Sequence, residues 1–98
     1  MLVSIVIPVF NESKTIFEIL KKVNEIKDFN KEIIIINDGS TDNTKEIIKK
    51  NCSNLYSKFI TYKENKGKGH ACRKGLMQVE GQIVIIQDAD LEYDPNDY

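Results

Sequence analysis

An α/β fold, a parallel sheet with helices on both faces, is what this sequence predicts, and three observations predict it. Four runs rich in Ile and Val alternate with three stretches of helical periodicity, in the order β-α-β-α-β-α-β. The runs are too evenly apolar for strands with one wet face and fit strands covered on both sides, as in a parallel sheet. A chain of 98 residues, 41% hydrophobic and 30% charged, suits one globular unit with a modest core.

The first strand is expected over Val3 to Val9 (VSIVIPV). The helix after it is expected within SKTIFEILKKVNEIKD, where Ile16, Leu20, Val23 and either Ile19 or Ile26 recur at helical spacing opposite a lysine-rich side. Asn11 or Ser13 can cap its start. Glu32 to Asn37 (EIIIIN) reads as the second strand. In the DGSTDNT segment that follows, Ser40 or Thr41 can cap a second helix, Asp42 suits its first turn, and Lys49 and Lys50 suit its last. Lys58 to Lys63 (KFITYK) is the third strand. A third helix runs from about Lys68 to Glu80, with Ala71, Cys72, Gly75, Leu76 and Val79 on one face. The fourth strand is Gln82 to Gln87 (QIVIIQ). Right-handed crossovers would make this half of a doubly wound, Rossmann-like sheet. With no internal repeat or linker, residues 1–98 read as a single domain, truncated soon after the fourth strand.

Composition removes several classes of function. Fourteen basic residues against fifteen acidic ones give a net charge of −1, which lacks the basic excess of a general nucleic-acid binder. The start, MLVSIVIPVF, has no positive n-region and no small-residue cleavage site, and no apolar run approaches a membrane span. Cys52 and Cys72 are too far apart for a CxxC motif, so reduced structural thiols and a cytoplasmic location are expected.

In an open parallel sheet, ligands bind beyond the carboxyl ends of the strands, where strand order reverses. Every strand here delivers polar groups to that rim. Pro8, Val9, Phe10, Asn11 and Glu12 follow the first; Asp38, Gly39 and Ser40 the second; Asn65 to Gly69 the third. After the fourth, Ile83 to Ile86 give way to five acids between Asp88 and Asp97, with no Lys or Arg among them. Unpaired buried carboxylates are costly, so such a cluster marks a place where something positive sits. Asp88 and Asp90, two residues apart, point the same way on an extended backbone. Two hard oxygen donors with open positions suit Mg2+ or Mn2+, with phosphates completing the shell.

The other rim residues have two readings each. Asp38 can cap the next helix beside a turn-forming Gly39, or accept a hydrogen bond from a nucleobase imide. Glu12 can be a first-turn acid, or can meet a ribose or base. In NKGKGHACRKG, Lys66, Lys68 and Arg73 can be solvated, as Lys74 is expected to be, or can face a diphosphate while Gly67 and Gly69 allow close backbone approach. His70 reads as a cap or packing residue before a catalyst. Neither a P-loop nor a GxGxxG fingerprint is present.

Taken together, VSIVIPVFNE, EIIIINDGSTDNT, NKGKGHACRKG and DADLEYDP resemble the nucleotide-sugar-binding half of a family 2 glycosyltransferase with the GT-A fold. The last two stretches most resemble the branch of dolichol-phosphate mannosyltransferases and other polyprenyl-phosphate sugar transferases. The resemblance implies that Pro8, Phe10 and Glu12 line a base and ribose pocket and that Asp38 binds the base. It implies that Lys68 and Arg73 lie near the nucleotide or support its loop, that Asp88 reaches the ribose or a metal-bound water, and that Asp90 ligates a divalent cation. It further implies an inverting transfer from a UDP- or GDP-linked sugar to an acceptor such as a polyprenyl phosphate, at the cytoplasmic membrane face. Family members continue well beyond the DxD motif and there supply the acceptor site and an acidic base. Asp94 and Asp97 are too near the metal motif for that role. The 98-residue piece is therefore expected to bind nucleotide weakly and turn nothing over, with an apolar fourth-strand edge that favours self-association.

Two rivals remain. A phosphohydrolase of the haloacid dehalogenase type also uses DxD, but after its first strand, whereas here the motif follows the fourth. The second is a non-catalytic nucleotide-binding module or structural fragment.

Overall fold

The structure, a computed structural model, describes residues 1–90. All seven expected elements form in the expected order: β1 (Leu2–Val9), α1 (Ile16–Glu25), β2 (Asn30–Asp38), α2 (Thr44–Asn51), β3 (Lys58–Tyr62), α3 (Lys68–Leu76) and β4 (Ile83–Ile86). The described strands make one parallel sheet in the order β3-β2-β1-β4. Strand order therefore reverses between β1 and β4.

Alternation along β1 and β2 divides the core into two layers. Ile5, Ile7 and Val9 with Ile33 and Ile35 face α1 and α2, whose Ile16, Ile19, Leu20, Val23 and Ile48 are fully buried. Val6, Ile34 and Ile36 face α3 through Ala71. On this side Gly75 lets the helix lie close, since a Cβ there would stand 2.4 Å from Val6 Cγ1. The double coverage expected for β1 and β2 is present.

For β4 that expectation fails. Ile83, Val84 and Ile86 are 45%, 37% and 42% exposed. The strand pairs only with β1 among the described residues, and α3 lies over β1 and β2 instead. Among the described residues the strand forms the exposed apolar edge that its place after the third helix predicts.

Helix starts also differ from expectation, for one shared reason: the side chains suited to capping bond across to neighbouring loops. The N-cap position of α1 is Thr15, without a side-chain cap. Asn11, at φ 53°, instead accepts from the Thr41 amide at 2.7 Å, and Ser13 bonds Asp42. The N-cap position of α2 is Asn43, because Ser40 donates to Asn37 at 2.5 Å and Thr41 is held by Asn11. Asp42 precedes the helix and accepts the Thr44 amide at 3.0 Å. Burial works to raise its pKa, and the Thr44 and Ser13 hydrogen bonds outweigh this and hold it below the carboxylate range. Lys49 and Lys50 do occupy the last turn of α2. Helix α3 stops at Leu76, short of Glu80; Ala71 and Gly75 are buried, Leu76 is exposed, and Val79 packs from beyond the helix. Both cysteines are free, Cys52 buried and its thiol pushed up by burial.

At the amino ends of the strands, buried Glu32 ties the sheet to the α3–β4 connection. Its Oε2 accepts from Ser4 Oγ at 2.5 Å and from the Glu80 amide at 2.6 Å, and Lys58 Nζ lies 3.4 Å from Oε1. Burial raises the Glu32 pKa, but these hydrogen bonds and the Lys58 charge overcome it and leave it below the usual range. Gly81 closes the network, donating to Ser4 Oγ at 2.9 Å.

Candidate functional site

The carboxyl ends of β1, β2 and β4 open into a cleft of about 430 Å3. It lies where strand order reverses, as the general rule for open parallel sheets requires. Of the residues singled out in the sequence, Pro8, Phe10, Glu12, Asp38, Lys68, Asp88 and Asp90 all line it. Arg73 does not. It is exposed on α3, with Nη1 3.6 Å from where a Gly69 Cβ would be, on the side of the loop rather than the cleft. Asp94 and Asp97 lie outside the described residues.

Asp38 is 2% exposed, and both its oxygens are engaged. Oδ1 accepts the Lys66 amide at 2.9 Å; Oδ2 accepts the Gly67 amide and Asn65 Nδ2, each at 2.9 Å. Asp38 does not cap α2, one of its two local readings. It holds the loop entering α3 instead. Gly39 at φ 67° makes this possible, because a Cβ there would stand 2.4 Å from the Asn65 amide nitrogen. Tyr62, paired with Asp38 in register, buries its hydroxyl without a hydrogen-bond partner among the described residues. Burial, and then the neighbouring Asp38 carboxylate, push that phenol well above its ordinary pKa. His70 packs edge-on against the Tyr62 ring at 5.6 Å, the packing role expected of it.

On the opposite wall stand the two acids. Asp88 is half-buried and Asp90 exposed, neither turned into the apolar interior. Lys68 Nζ makes a hydrogen-bonded ion pair with Asp88 Oδ1. That bond raises the Lys68 pKa against the opposing effect of burial, and the Asp90 charge adds to it. The backbone between the acids is anchored too: Ala89 is buried, and its carbonyl accepts from Thr15 Oγ1 at 2.5 Å. Thr15 Oγ1 also lies 3.2 Å from Glu12 Oε2.

No group of three or more metal-ligating side chains occurs among the described residues. Asp88 and Asp90 offer hard carboxylate oxygens at an open rim, a donor set that fits a small divalent cation whose shell is completed by phosphate and water. Sequence reasoning placed Asn65 at the rim without a role and passed over Thr15. Their signals are contacts 27 and 74 residues apart, which no local pattern carries.

Comparison with known proteins agrees with this geometry. The model of glycosyl transferase family 2 matches residues 4–98. The chain is 46% identical over 81 residues to the poly-beta-1,6-N-acetyl-D-glucosamine synthase of Staphylococcus aureus strain COL, covering 83% of this chain and 20% of that one. To the Staphylococcus epidermidis synthase it is 40% identical over 92 residues, 94% of this chain and 22% of that one. It thus spans about a fifth of the length of these curated relatives. Among solved structures, Pyrobaculum calidifontis mannosyltransferase PcManGT, in complex with GDP-Man and Mn2+, superposes with a TM-score of 0.83 at 29% identity, over 90% of this chain and 27% of that one. S. aureus TarS 1-349, in complex with UDP-GlcNAc, gives 0.80 at 32% identity, over 92% and 27%.

Proposed function

This chain belongs to glycosyl transferase family 2, and on that premise we propose that it holds the donor in an inverting transfer of a sugar from a nucleoside diphosphate to an acceptor. The observation that carries the reading is the convergence of Glu12, Asp38, Asp88 and Asp90 on one cleft at the strand-order reversal.

In this reading Pro8, Phe10 and Glu12 meet the base and ribose. A carboxylate has about four lone-pair sites, and three donors occupy Asp38, so one remains for the imide N–H of uracil or guanine. Lys68 faces the diphosphate from the α3 side, and Arg73 supports its loop. Asp88 and Asp90 hold Mg2+ or Mn2+. A cation there would neutralise charge on the departing nucleoside diphosphate. No described residue is assigned as the base that deprotonates the acceptor, because the cleft's acids all face the donor.

Donors in the relatives include a UDP-linked and a GDP-linked sugar, and both bases present the imide. For the acceptor, the 46% identity to a polysaccharide synthase favours a sugar hydroxyl over the polyprenyl phosphate implied by the sequence resemblance. The open β4 edge supports self-association through Ile83, Val84 and Ile86; a clean monomer by light scattering would remove that part of the proposal.

Calorimetry with UDP, GDP and their sugars, with and without Mn2+, tests the reading. Metal-dependent binding that Asp90→Ala abolishes is expected. If none of these ligands binds, the chain is a structural fragment. Binding without metal dependence leaves a nucleotide-binding module.

A further inference from the structure

We infer that Thr15 is a positioning residue for the acidic pair, its hydroxyl fixing the peptide between Asp88 and Asp90. The inference rests on the donor-binding reading above and deepens it.

Thr15 occupies the N-cap position of α1, where a threonine ordinarily accepts a hydrogen bond from an amide of the first turn. Here it makes no such bond. Its hydroxyl is directed at the Ala89 carbonyl, 2.5 Å away, with Glu12 Oε2 at 3.2 Å. One hydroxyl carries one proton, and the shorter contact takes it.

The post that carries this hydroxyl is rigid. Ile16, Ile19, Leu20 and Val23 of α1 are all fully buried, so the helix start is fixed to the core. After Ile86 the backbone leaves the sheet; the Gln87 amide bonds Val6 at 2.9 Å, Gln87 Nε2 donates to the Asp88 carbonyl at 3.0 Å, and Lys68 pairs with the Asp88 carboxylate. Ala89 is 4% exposed, and the carboxylates on either side of it both line the cleft. Where a peptide is pinned, the side chains flanking it inherit its orientation. Groups that orient metal-binding carboxylates from behind typically govern metal affinity by about 10- to 100-fold.

The experiment compares the unmutated chain with Thr15→Val and Thr15→Ser, reading Mn2+ affinity by electron paramagnetic resonance and nucleoside diphosphate affinity by calorimetry without metal. Valine keeps the volume and branching and removes only the hydroxyl. No cap is lost, since none is made. Thr15→Val is expected to weaken Mn2+ binding by about tenfold with metal-free nucleotide affinity unchanged, and Thr15→Ser to stay within about twofold of the original. Equal Mn2+ affinity in Thr15→Val overturns the inference alone. So does a Thr15→Ser variant as weak as Thr15→Val, which would assign the effect to the lost methyl. An equal fall in metal-free nucleotide binding would mean general damage to the cleft and also overturns it. An unmutated chain that binds no Mn2+ overturns this inference together with the metal part of the reading beneath it.

Discussion

Glu32 and Asp38 stand at opposite ends of β2, an even number of residues apart, and so on the same face of the sheet. Both are buried, and each holds one end of α3. Asp38 takes the Lys66 and Gly67 amides that lead into the helix; Glu32 takes the Glu80 amide that follows it. They differ in what balances their charge. Glu32 has a cation, Lys58, and a hydroxyl, Ser4. Asp38 has amide donors and no ion pair among the described residues, and it opens onto the cleft. A carboxylate closed by an internal cation is a structural staple. One that faces a cleft with only dipoles behind it keeps capacity for a ligand's N–H. Burial alone does not separate the two roles, but the source of the compensating charge does.

The strongest way to break this comparison is to remove each carboxylate and ask what is lost. Asp38→Ala leaves the Lys66 and Gly67 amides without their acceptor and takes one of two acceptors from the Asn65 side chain, which keeps the backbone carbonyl of residue 38. Orphaned buried donors cost about 1–3 kcal/mol each, less whatever water restores at this half-open loop. Nucleotide affinity is expected to fall more than tenfold as well, because the entrance to α3 loses its shape. Calorimetry and thermal denaturation on the same sample check both. An Asp38→Ala chain that binds nucleotide normally would reduce Asp38 to a second staple.

Glu32→Gln is expected to lower stability, since the buried carboxylate that accepts from Ser4 and the Glu80 amide and faces Lys58 is replaced by a neutral amide with a single acceptor oxygen, while nucleotide binding stays intact. pH sharpens this. The folded pKa of Glu32 lies below its unfolded value, so its contribution is fully present above about pH 4.3 and is lost as pH falls through the folded value. The difference in melting temperature between wild type and Glu32→Gln should therefore shrink on acidification from about pH 6 towards about pH 3. A gap that stays constant would show that the charge of Glu32 is not what stabilises.

The comparison also explains what could be read from the sequence. The strands were legible because Ile and Val runs persist through β1 and β2 and stop at Gly39 and Asn11, where the chain turns. The cleft was legible because ligand sites in such sheets follow strand ends, and seven residues chosen on that ground line it. Arg73, expected near the nucleotide or in support of its loop, lies beside Gly69 of that loop and does not line the cleft. The partners of the two β2 carboxylates were not legible. Ser4 and Glu80 meet Glu32 across 28 and 48 residues, and the donors to Asp38 come from 27 to 29 residues away. Nor does an apolar run state how many of its faces are covered: the run of β4 alone suggests double coverage, and only its place as the last strand marks it as an exposed edge.

The smallest expected effect is the most selective probe of the Glu32 end. Glu80 contributes two groups to that network: an amide that Glu32 accepts, and a carboxylate 2.7 Å from Lys58 Nζ. The carboxylate side chain is 70% exposed, so water and salt screen the pair. Lys58 keeps Glu32 and the Gln78 carbonyl when that carboxylate is removed. Glu80→Ala should therefore shift the melting temperature by no more than about 2 °C, and the shift should vanish in high salt. Glu80→Pro removes the amide instead, orphaning part of the buried carboxylate's solvation, and should be markedly more damaging. If the two variants cost the same, the surface ion pair and not the buried amide secures the end of α3, and Glu32 would then resemble Asp38 less closely than their geometry indicates.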